Sequence, residues 1–171
     1  MHHYLFDWGD TLMLDQPGQR GPMCDWPELR VTKNAVSTLS WLSRRAKCHL
    51  ATNAKDSDEI QIRRALARGA LDPFIDYVFC YRSTGHLKPS SKYFDSIIRR
   101  LSCAAAEITM IGDDLEIDVL GAMVCGLNAV WYNPKRAPVP DGIIAIEDLS
   151  ELVSLAQQRR APHVNRRPNS S

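Results

Sequence analysis

At 171 residues and 44% hydrophobic content, the chain is long enough to bury a core, and a single domain is the simplest expectation. Its 21 lysines and arginines nearly balance its 20 aspartates and glutamates, so the overall charge directs the chain neither to nucleic acid nor to an anionic membrane. The five scattered cysteines lack the spacing of metal sites, and neither a leader nor an apolar run of about 18 residues is found. We expect a cytoplasmic protein without nucleic-acid or membrane partners.

Five short apolar runs alternate along the chain with stretches of helical periodicity. Each run is rich in β-branched or aromatic residues, as buried strands are. The runs cover residues 3–7, 48–52, 77–81, 108–112 and 128–132. This alternation is typical of a parallel sheet with helices on both faces. We predict an α/β fold, namely a Rossmann-like three-layer α/β/α sandwich around a five-stranded, mainly parallel sheet.

The helices are predicted between those strands from the spacing of apolar residues. The periodic positions are Ala35, Val36, Leu39 and Leu42 in the first helix, Phe94, Ile97, Ile98 and Leu101 in a later one, and Val119, Ala122 and Met123 in the last. Gly69 is positioned to end a helix, and residues 15–27, rich in Pro and Gly, predict an irregular excursion after the first strand. Residues 1–158 are predicted to form the core domain, and residues 159–171 a polar, basic tail.

Polar side chains follow the predicted strands at their carboxyl ends, where ligands bind in an open parallel sheet. They are Asp7, Thr52, Asn53, Lys88, Asp113 and Asp114. Carboxylates brought to one edge repel one another, and a hard divalent cation with oxygen ligands relieves that repulsion. Mg²⁺ is the common intracellular choice, so a Mg²⁺ site is predicted. One of Asp113 and Asp114 is expected to cap the following helix while the other binds the metal.

The same edge carries groups that suit a phosphate. The ammonium of Lys88 supplies positive charge, and the hydroxyl of Thr52 with nearby backbone N–H groups supplies hydrogen bonds. A free carboxylate oxygen beside a bound phosphate and metal can attack phosphorus in line, which forms an aspartyl-phosphate that water hydrolyses. The pattern therefore predicts phosphoryl transfer by covalent catalysis.

Four segments, in this order, resemble the four motifs of the haloacid dehalogenase (HAD) superfamily of hydrolases. They are FDWGDTL around Asp7, the pair Thr52-Asn53, the dipeptide Lys88-Pro89, and GDDLEID with Asp113 and Asp118. The resemblance spans residues 3–133, and an ordered match of four motifs is more specific than any single one. A HAD-like core is therefore expected.

The resemblance implies a role for each matched residue, in a Mg²⁺-dependent phosphatase that acts on phosphomonoesters. Asp7 would be the nucleophile and Lys88 a second catalytic residue. The metal ligands would be Asp7, the backbone carbonyl of Gly9, Asp113, and either Asp118 or Asp114 through a water. The phosphoryl group would be bound by Thr52, Asn53 and Lys88.

Two features depart from the pattern of the family, and the first is Gly9. Phosphatases of this family normally carry an aspartate two residues after the nucleophile, which protonates the leaving oxygen and later activates water. A positioned general acid is worth roughly a hundredfold to ten-thousandfold in rate, so its loss favours substrates with good leaving groups. Asp10 follows instead and would reach the site only through the turn that glycine permits.

The second departure is the short stretch between the first two motifs. Residues 8–51 must include a helix and a strand, which leaves too little chain for the helical cap that members of this subgroup usually carry. We therefore expect no sizeable cap and an open site, which admits a small phosphorylated substrate or a larger one. The Pro- and Gly-rich segment with Trp26 is the local candidate for covering the pocket.

The alternatives to a phosphatase are a dehalogenase-like or phosphonate-cleaving hydrolase and an inactive scaffold, whereas the order of the motifs argues against a receiver domain. Dehalogenases and phosphonate-cleaving members also carry a non-acidic residue at the position of Gly9, although the former need no Mg²⁺ site and the latter use a lysine from the cap. Receiver domains gather similar residues, but their phosphorylated aspartate follows the third strand rather than the first. A catalytically weak or inactive metal-binding scaffold would keep the fold and the metal without the acid.

Overall fold

The computed structural model describes residues 1–159, in which a parallel sheet is surrounded by helices. The strands are β1 (His3–Phe6), β2 (Lys47–Ala51), β3 (Val78–Phe79), β4 (Ile108–Gly112), β5 (Asn128–Tyr132) and β6 (Ala145–Ile146). The α-helices are α1 (Ala35–Ser43), α2 (Glu59–Arg68), α3 (Tyr81–Thr84), α4 (Ser91–Leu101), α5 (Gly121–Val124) and α6 (Glu151–Gln158). A π-helix, Leu115–Leu120, leads into α5. None of the helices in this described part has the length and apolar character needed to cross a bilayer.

The sheet has the strand order β3-β2-β1-β4-β5-β6, and every neighbouring pair is parallel. β1 lies in the centre, with His3 opposite Lys47 of β2 on one side and Ile108 of β4 on the other. The carboxyl ends of β1, β2 and β4 therefore come to the same edge. That edge is where the predicted site residues leave their strands.

Helices cover both faces of the sheet, and the predicted three-layer α/β/α fold is confirmed. On one face Tyr4 of β1 packs in a core with residues of α1, α2 and α6. On the other face Leu5 packs with residues of α4, the π-helix and α5. α4 illustrates the pattern, since three apolar residues at helical spacing are fully buried. They are Tyr93, Phe94 and Ile97.

Local signals in the sequence explain where helices begin and end. α2 begins at a capping box, in which Asp58 accepts the backbone N–H of Gln61 and Gln61 accepts that of Asp58, each at 2.9 Å. It ends at Gly69, as predicted, whose N–H donates to the carbonyl of Ala65 at 3.1 Å. These contacts satisfy backbone groups that a helix end leaves unpaired.

The predicted number of five strands was wrong by one, because the sheet has a sixth strand, β6. β6 has only two residues, Ala145–Ile146, and a two-residue strand has no periodicity to detect. The following helix α6 was not predicted either. The predicted tail begins at residue 159 and, apart from Arg159, lies outside the described residues.

Residues 15–27, predicted as an irregular excursion, lie in the long connection of residues 7–34 between β1 and α1. Its one helical element is a 3-10 turn at Met23–Asp25. Arg68, at the end of α2, fixes the excursion through three hydrogen bonds from its guanidinium. The acceptors are the backbone carbonyls of Cys24 (2.8 Å), Trp26 (2.7 Å) and Pro27 (3.1 Å). The excursion is thereby held against α2.

Candidate active site

Three carboxylates meet at the carboxyl end of the sheet. Asp7 follows β1 and Asp113 follows β4, and because these strands are paired, their ends lie side by side. The backbone N–H of Asp7 continues the pairing by donating to the carbonyl of Ile111 at 2.8 Å. Asp118 reaches the same point from the π-helix. One carboxylate oxygen from each of the three aspartates lies within 4.8 Å of the other two.

Gly112 and the π-helix bring Asp118 into this cluster. A Cβ at position 112 would overlap the carboxylate of Asp118, so the absence of a side chain leaves the room that Asp118 occupies. Asp114 instead caps the π-helix, because its carboxylate accepts the backbone N–H groups of Glu116 (3.0 Å) and Ile117 (2.9 Å). Of the two residues considered for the water-mediated metal contact, Asp118 therefore lies in the cluster and Asp114 at the helix start.

Lys88 inserts its ammonium between two of the carboxylates. Nζ donates to Oδ1 of Asp7 at 2.5 Å and to Oδ1 of Asp118 at 2.6 Å, and the lysine side chain is 1% exposed. Asn53 holds the backbone of Lys88, since its amide donates to the Lys88 carbonyl (3.0 Å) and its side-chain oxygen accepts the Lys88 N–H (2.8 Å). Asn53 was predicted to bind phosphate, but both polar atoms of its side chain hydrogen-bond to the backbone of Lys88 and position that residue.

Asp113 is held by two residues that were not predicted to belong to the site. The hydroxyl of Thr11 donates to Oδ1 of Asp113 (3.2 Å) and accepts its backbone N–H (3.1 Å). The indole N–H of Trp131 donates to the Asp113 carbonyl at 2.9 Å. The signal for Thr11 is its place in the turn after β1, since β1 and β4 are neighbours in the sheet.

Thr52 is buried at the end of β2 and lines the same pocket as Asp7 and Lys88. Its hydroxyl accepts the backbone N–H of Ala54 at 3.1 Å. A hydroxyl that accepts one hydrogen bond can still donate its own proton. Thr52 can therefore donate to an anion in the pocket, as predicted for a phosphate-binding residue.

Burial and mutual repulsion change the proton affinities of the cluster. Burial, together with the nearby charge of Asp7, raises the pKa of Asp113 to about 6. Burial likewise raises the pKa of Asp118, against the opposing effect of Lys88. Burial would lower the pKa of Lys88, but the charges of Asp7 and Asp118 outweigh it and raise this pKa, so the ammonium stays charged. Burial, more than repulsion between the carboxylates, therefore raises the pKa values of Asp113 and Asp118.

The donor set fits a hard divalent cation. Mg²⁺ binds oxygen ligands at about 2.0–2.1 Å, so two opposite ligands lie roughly 4.2 Å apart, and the three aspartate oxygens lie within 4.8 Å of one another. Lys88 supplies one positive charge to three carboxylates, and a divalent cation would neutralise the remainder. Gly9, whose carbonyl is the predicted backbone ligand, lines the same pocket.

The turn after β1 brings two further aspartates, Asp10 and Asp15, to the pocket. Asp10, considered as a substitute acid, has a left-handed φ of 51°, and its Oδ1 accepts the backbone N–H of Asp15 at 3.1 Å. Asp15 was not predicted as a site residue, yet its carboxylate lies against Gly9 and lines the pocket. Partial burial raises the pKa of Asp15, and the charges of Asp10 and Asp7 raise it further. No periodic pattern in the excursion could have indicated this position.

These residues line an open pocket of about 770 Å³. The excursion contributes one wall, where Met23 is buried and Trp26 is partly buried. The segment that was predicted to cover the pocket thus borders it. Because Arg68 holds the carbonyl of Trp26, this wall has a defined position.

A parallel sheet between two layers of helices, with aspartates after its first and fourth strands and a buried lysine among them, is a Rossmann-like α/β fold with its candidate site at the carboxyl ends of the strands. A model of the haloacid dehalogenase-like hydrolase family matches residues 9–126, which is more than half of the chain. The chain therefore belongs to the haloacid dehalogenase-like hydrolase family, and the resemblance read from its four motifs is confirmed.

Two solved structures illustrate the likeness. An uncharacterized protein from Listeria monocytogenes serotype 4b has a TM-score of 0.79 and 26% identity, over 92% of this chain and 99% of that chain. The HAD-hydrolase YfnB from Bacillus subtilis, in a crystal structure bound to magnesium, has a TM-score of 0.67 and 26% identity, over 75% of this chain and 56% of that chain.

Two relatives in sequence are phosphatases by name. Ribulose-1,5-bisphosphate 5-phosphatase of Halopiger xanaduensis is 34% identical over 109 residues, which cover 64% of this chain and 45% of that protein. Pyrimidine 5'-nucleotidase YjjG of Escherichia coli is 31% identical over 124 residues, which cover 72% and 54%. The chain thus spans about half the length of the curated relatives it matches.

Proposed function

We propose that this chain is a Mg²⁺-dependent phosphomonoester phosphatase that acts through an aspartyl-phosphate on Asp7. The observation that carries the proposal is the cluster of Asp7, Asp113 and Asp118 around the ammonium of Lys88. The phosphatase names of two relatives and the magnesium in the structure of YfnB support it. The proposed metal ligands are Asp7, the carbonyl of Gly9, Asp113 and Asp118.

Asp7 is the proposed nucleophile because it is the most accessible member of its ion-paired cluster. Its side chain is 15% exposed, whereas that of Asp118 is 2% exposed. Lys88 binds Oδ1 of Asp7, so we assign the attack on phosphorus to Oδ2. When bound, Mg²⁺ supplies positive charge that screens the phosphoryl oxygens from the carboxylates.

Thr52 and Lys88 are the proposed contacts of the phosphoryl group, and Asn53 supports them by holding the Lys88 backbone. The hydroxyl of Thr52 donates a hydrogen bond, and the ammonium of Lys88 supplies charge from a buried position, where electrostatic interactions are strong. These groups orient the phosphorus towards Asp7.

The proposed enzyme consists of a core at residues 1–158 without a sizeable cap, in which the excursion with Trp26 takes the place of a lid. Its open pocket suits a small phosphorylated substrate and leaves room for a larger one. All five cysteines are free thiols, which supports a cytoplasmic location.

Turnover of p-nitrophenyl phosphate and of an alkyl phosphate by the purified chain, with and without Mg²⁺, tests the proposal. We expect Mg²⁺-dependent hydrolysis and a loss of at least about 10³-fold in Asp7→Asn, which keeps the shape but removes the nucleophile. Asp141→Asn, an exposed aspartate outside the pocket, is the matched control. Metal-independent turnover, or full turnover by Asp7→Asn, would contradict the mechanism.

Calorimetric titration with Mg²⁺ gives a readout that does not depend on turnover. Asp113→Asn and Asp118→Asn are each expected to weaken Mg²⁺ binding by about 10- to 100-fold. Mg²⁺ binding without turnover of any phosphate would instead favour the inactive scaffold, the alternative that Gly9 supports.

A further inference from the structure

The space beside Gly9 is filled by the carboxylate of Asp15. A Cβ built on Gly9 would lie 2.7 Å from Oδ2, 2.9 Å from Oδ1 and 3.0 Å from Cγ of Asp15. Gly9 is not among the glycines with positive φ, so its backbone conformation suits any residue. The carboxylate of Asp15 therefore occupies the space that the first side-chain atom at position 9 would enter, and the backbone geometry there sets no such limit.

The turn between these residues is constructed to return the chain to Gly9. The N–H groups of Leu12 and Met13 donate to the carbonyl of Trp8 at 3.0 and 2.9 Å. The N–H of Asp10 donates to the carbonyl of Met13 at 2.7 Å, and Oδ1 of Asp10 accepts the N–H of Asp15 at 3.1 Å. The backbone of Asp15 is thus held while its carboxylate stays directed at Gly9.

Asp10 and Asp15 of this turn both line the pocket, and they differ in the hydrogen bonds that their carboxylates accept. The carboxylate of Asp10 accepts a backbone N–H, and that of Asp114 accepts two. Among the hydrogen bonds of residues 1–159, none is accepted by the carboxylate of Asp15, which lines the pocket together with Asp7.

We propose that Asp15 is the general acid and base of the reaction, and that it takes the position a carboxylate at residue 9 would otherwise occupy. The proposal rests on the phosphatase function proposed above and deepens it. It means that the glycine two residues after the nucleophile does not deprive the enzyme of its acid, because the carboxylate comes from a different part of the chain.

The proton moves as follows in the two steps. An oxygen of Asp7 bonds to phosphorus, the bond from phosphorus to the leaving oxygen breaks, and the proton of Asp15 passes to that oxygen, which leaves as an alcohol. Water then bonds to phosphorus and gives one proton to the Asp15 carboxylate, while the bond from phosphorus to Asp7 breaks. Inorganic phosphate departs, and both aspartates return to their initial states.

The test compares substrates that do and do not need a proton on the leaving oxygen. Asp15→Asn is expected to lower turnover of an alkyl phosphate roughly 10²- to 10⁴-fold and turnover of p-nitrophenyl phosphate by less than about tenfold. Asp25→Asn, in the same excursion with a 57% exposed side chain, is the matched control and keeps both activities. Equal losses on the two substrates, or no loss, would overturn the proposal.

A second pair of variants separates a chemical role from a structural one. Asp15→Ala should lose alkyl phosphatase activity as Asp15→Asn does. The double variant Gly9→Asp/Asp15→Ala should be at least tenfold more active on the alkyl phosphate than Asp15→Ala. The reason is that Asp15→Ala vacates the space that the Cβ of a residue at position 9 would enter, so a side chain there can extend into the pocket. A purely structural Asp15 would give no rescue, and that result would overturn the proposal.

Titration with Mg²⁺ tests whether the Asp15 carboxylate is a metal ligand instead of an acid and base. Asp15→Ala is expected to bind Mg²⁺ as the unaltered chain does, since Asp15 is not in the group of aspartates that could share an ion. A tenfold loss of Mg²⁺ affinity would identify it as a metal ligand and overturn the proposal. If the unaltered chain hydrolyses neither substrate, the phosphatase function itself fails; if it hydrolyses both and Asp15→Asn does too, only the role of Asp15 fails.

Discussion

The carboxyl end of the sheet and its amino end both bury polar side chains, and each keeps them in a different state. At the carboxyl end, the Lys88 ammonium lies 2.5 Å from Asp7 and 2.6 Å from Asp118. At the amino end, His49 of β2, which is 1% exposed, shares a 3.0 Å hydrogen bond with His3 of β1. The first cluster is made of ions of opposite charge, and the second of two imidazole rings that stack 5.3 Å apart.

The difference shows that burial retains charge only where an opposite charge is in contact. Burial, with a smaller contribution from His3, lowers the pKa of His49 to about 4. The charged groups that act on His49 from its surroundings are Asp76, which opposes the shift, and Lys47, which adds to it. These two pair with each other at 2.8 Å, so the imidazoles stay neutral. At the carboxyl end, the ion pairs of Lys88 with Asp7 and Asp118 offset the cost of burying these charges. The charges are therefore retained and can bind a phosphate and a metal.

The largest expected effect comes from removing the charge that joins the carboxylates. Lys88→Met in Mg²⁺-free buffer should lower the free energy of unfolding by about 3–5 kcal/mol, because it leaves Asp7 and Asp118 buried beside each other without a cation. Urea denaturation at pH 7.5 measures the change. Lys92→Met, an exposed lysine of α4, is the control with little expected effect. A decrease in the free energy of unfolding below about 1 kcal/mol would show that the two ion pairs of Lys88 do not stabilise these buried carboxylates.

The charged end was also the more predictable of the two from sequence. Asp7, Thr52 and Asp113 could be found because each directly follows an apolar run, and the ends of parallel strands meet at one edge. Lys88 could be found from its order after the third strand. The histidine pair could not, because His3 and His49 are joined only by the strand register and form no motif.

The parts that sequence reasoning missed lie where the chain has no period. Asp15 belongs to an excursion whose course depends on turn hydrogen bonds and on Arg68, which is distant in sequence. Thr11 contacts Asp113 only because β1 and β4 are adjacent. The residues at the strand ends could therefore be predicted from their order in the sequence. The contacts made by irregular backbone could not, because they depend on how distant parts of the chain meet in the fold.

An intermediate effect is expected from the neutral end of the sheet when the pH falls. The folded pKa of His49, about 4, lies below its ordinary value of 6.5, so the unfolded chain binds more protons between these values. The stability contributed by neutral His49 is complete above pH 6.5 and is lost as the pH falls towards 4, by about 2–3 kcal/mol. Urea denaturation of His49→Phe at pH 7.5 and 4.5 should show a smaller decrease than the unaltered chain. His86→Gln is the control, and an equal decrease in His49→Phe would mean that other groups govern this pH range.

The smallest expected effect comes from Asp148, a carboxylate that is stabilised mainly by neutral hydrogen-bond donors and only weakly by Lys33 at 3.8 Å. Asp148 accepts hydrogen bonds from Asn34 at 2.8 and 3.0 Å and from Ser150 at 2.9 and 2.7 Å, and these bonds lower its pKa to about 2. Asp148→Asn should lower the free energy of unfolding by about 1 kcal/mol at pH 7. The effect is small because the side chain is 30% exposed and solvent screens its charge. Because the folded pKa is depressed, this contribution is present above pH 3.8 and is lost as the pH falls towards 2. The gap in unfolding free energy between the unaltered chain and the variant should therefore narrow from pH 5 to pH 3. If the gap in unfolding free energy stays constant between pH 5 and pH 3, the effect of Asp148 comes from packing and not from its charge. The raised pKa of Asp113 would then differ from that of Asp148 because of burial alone.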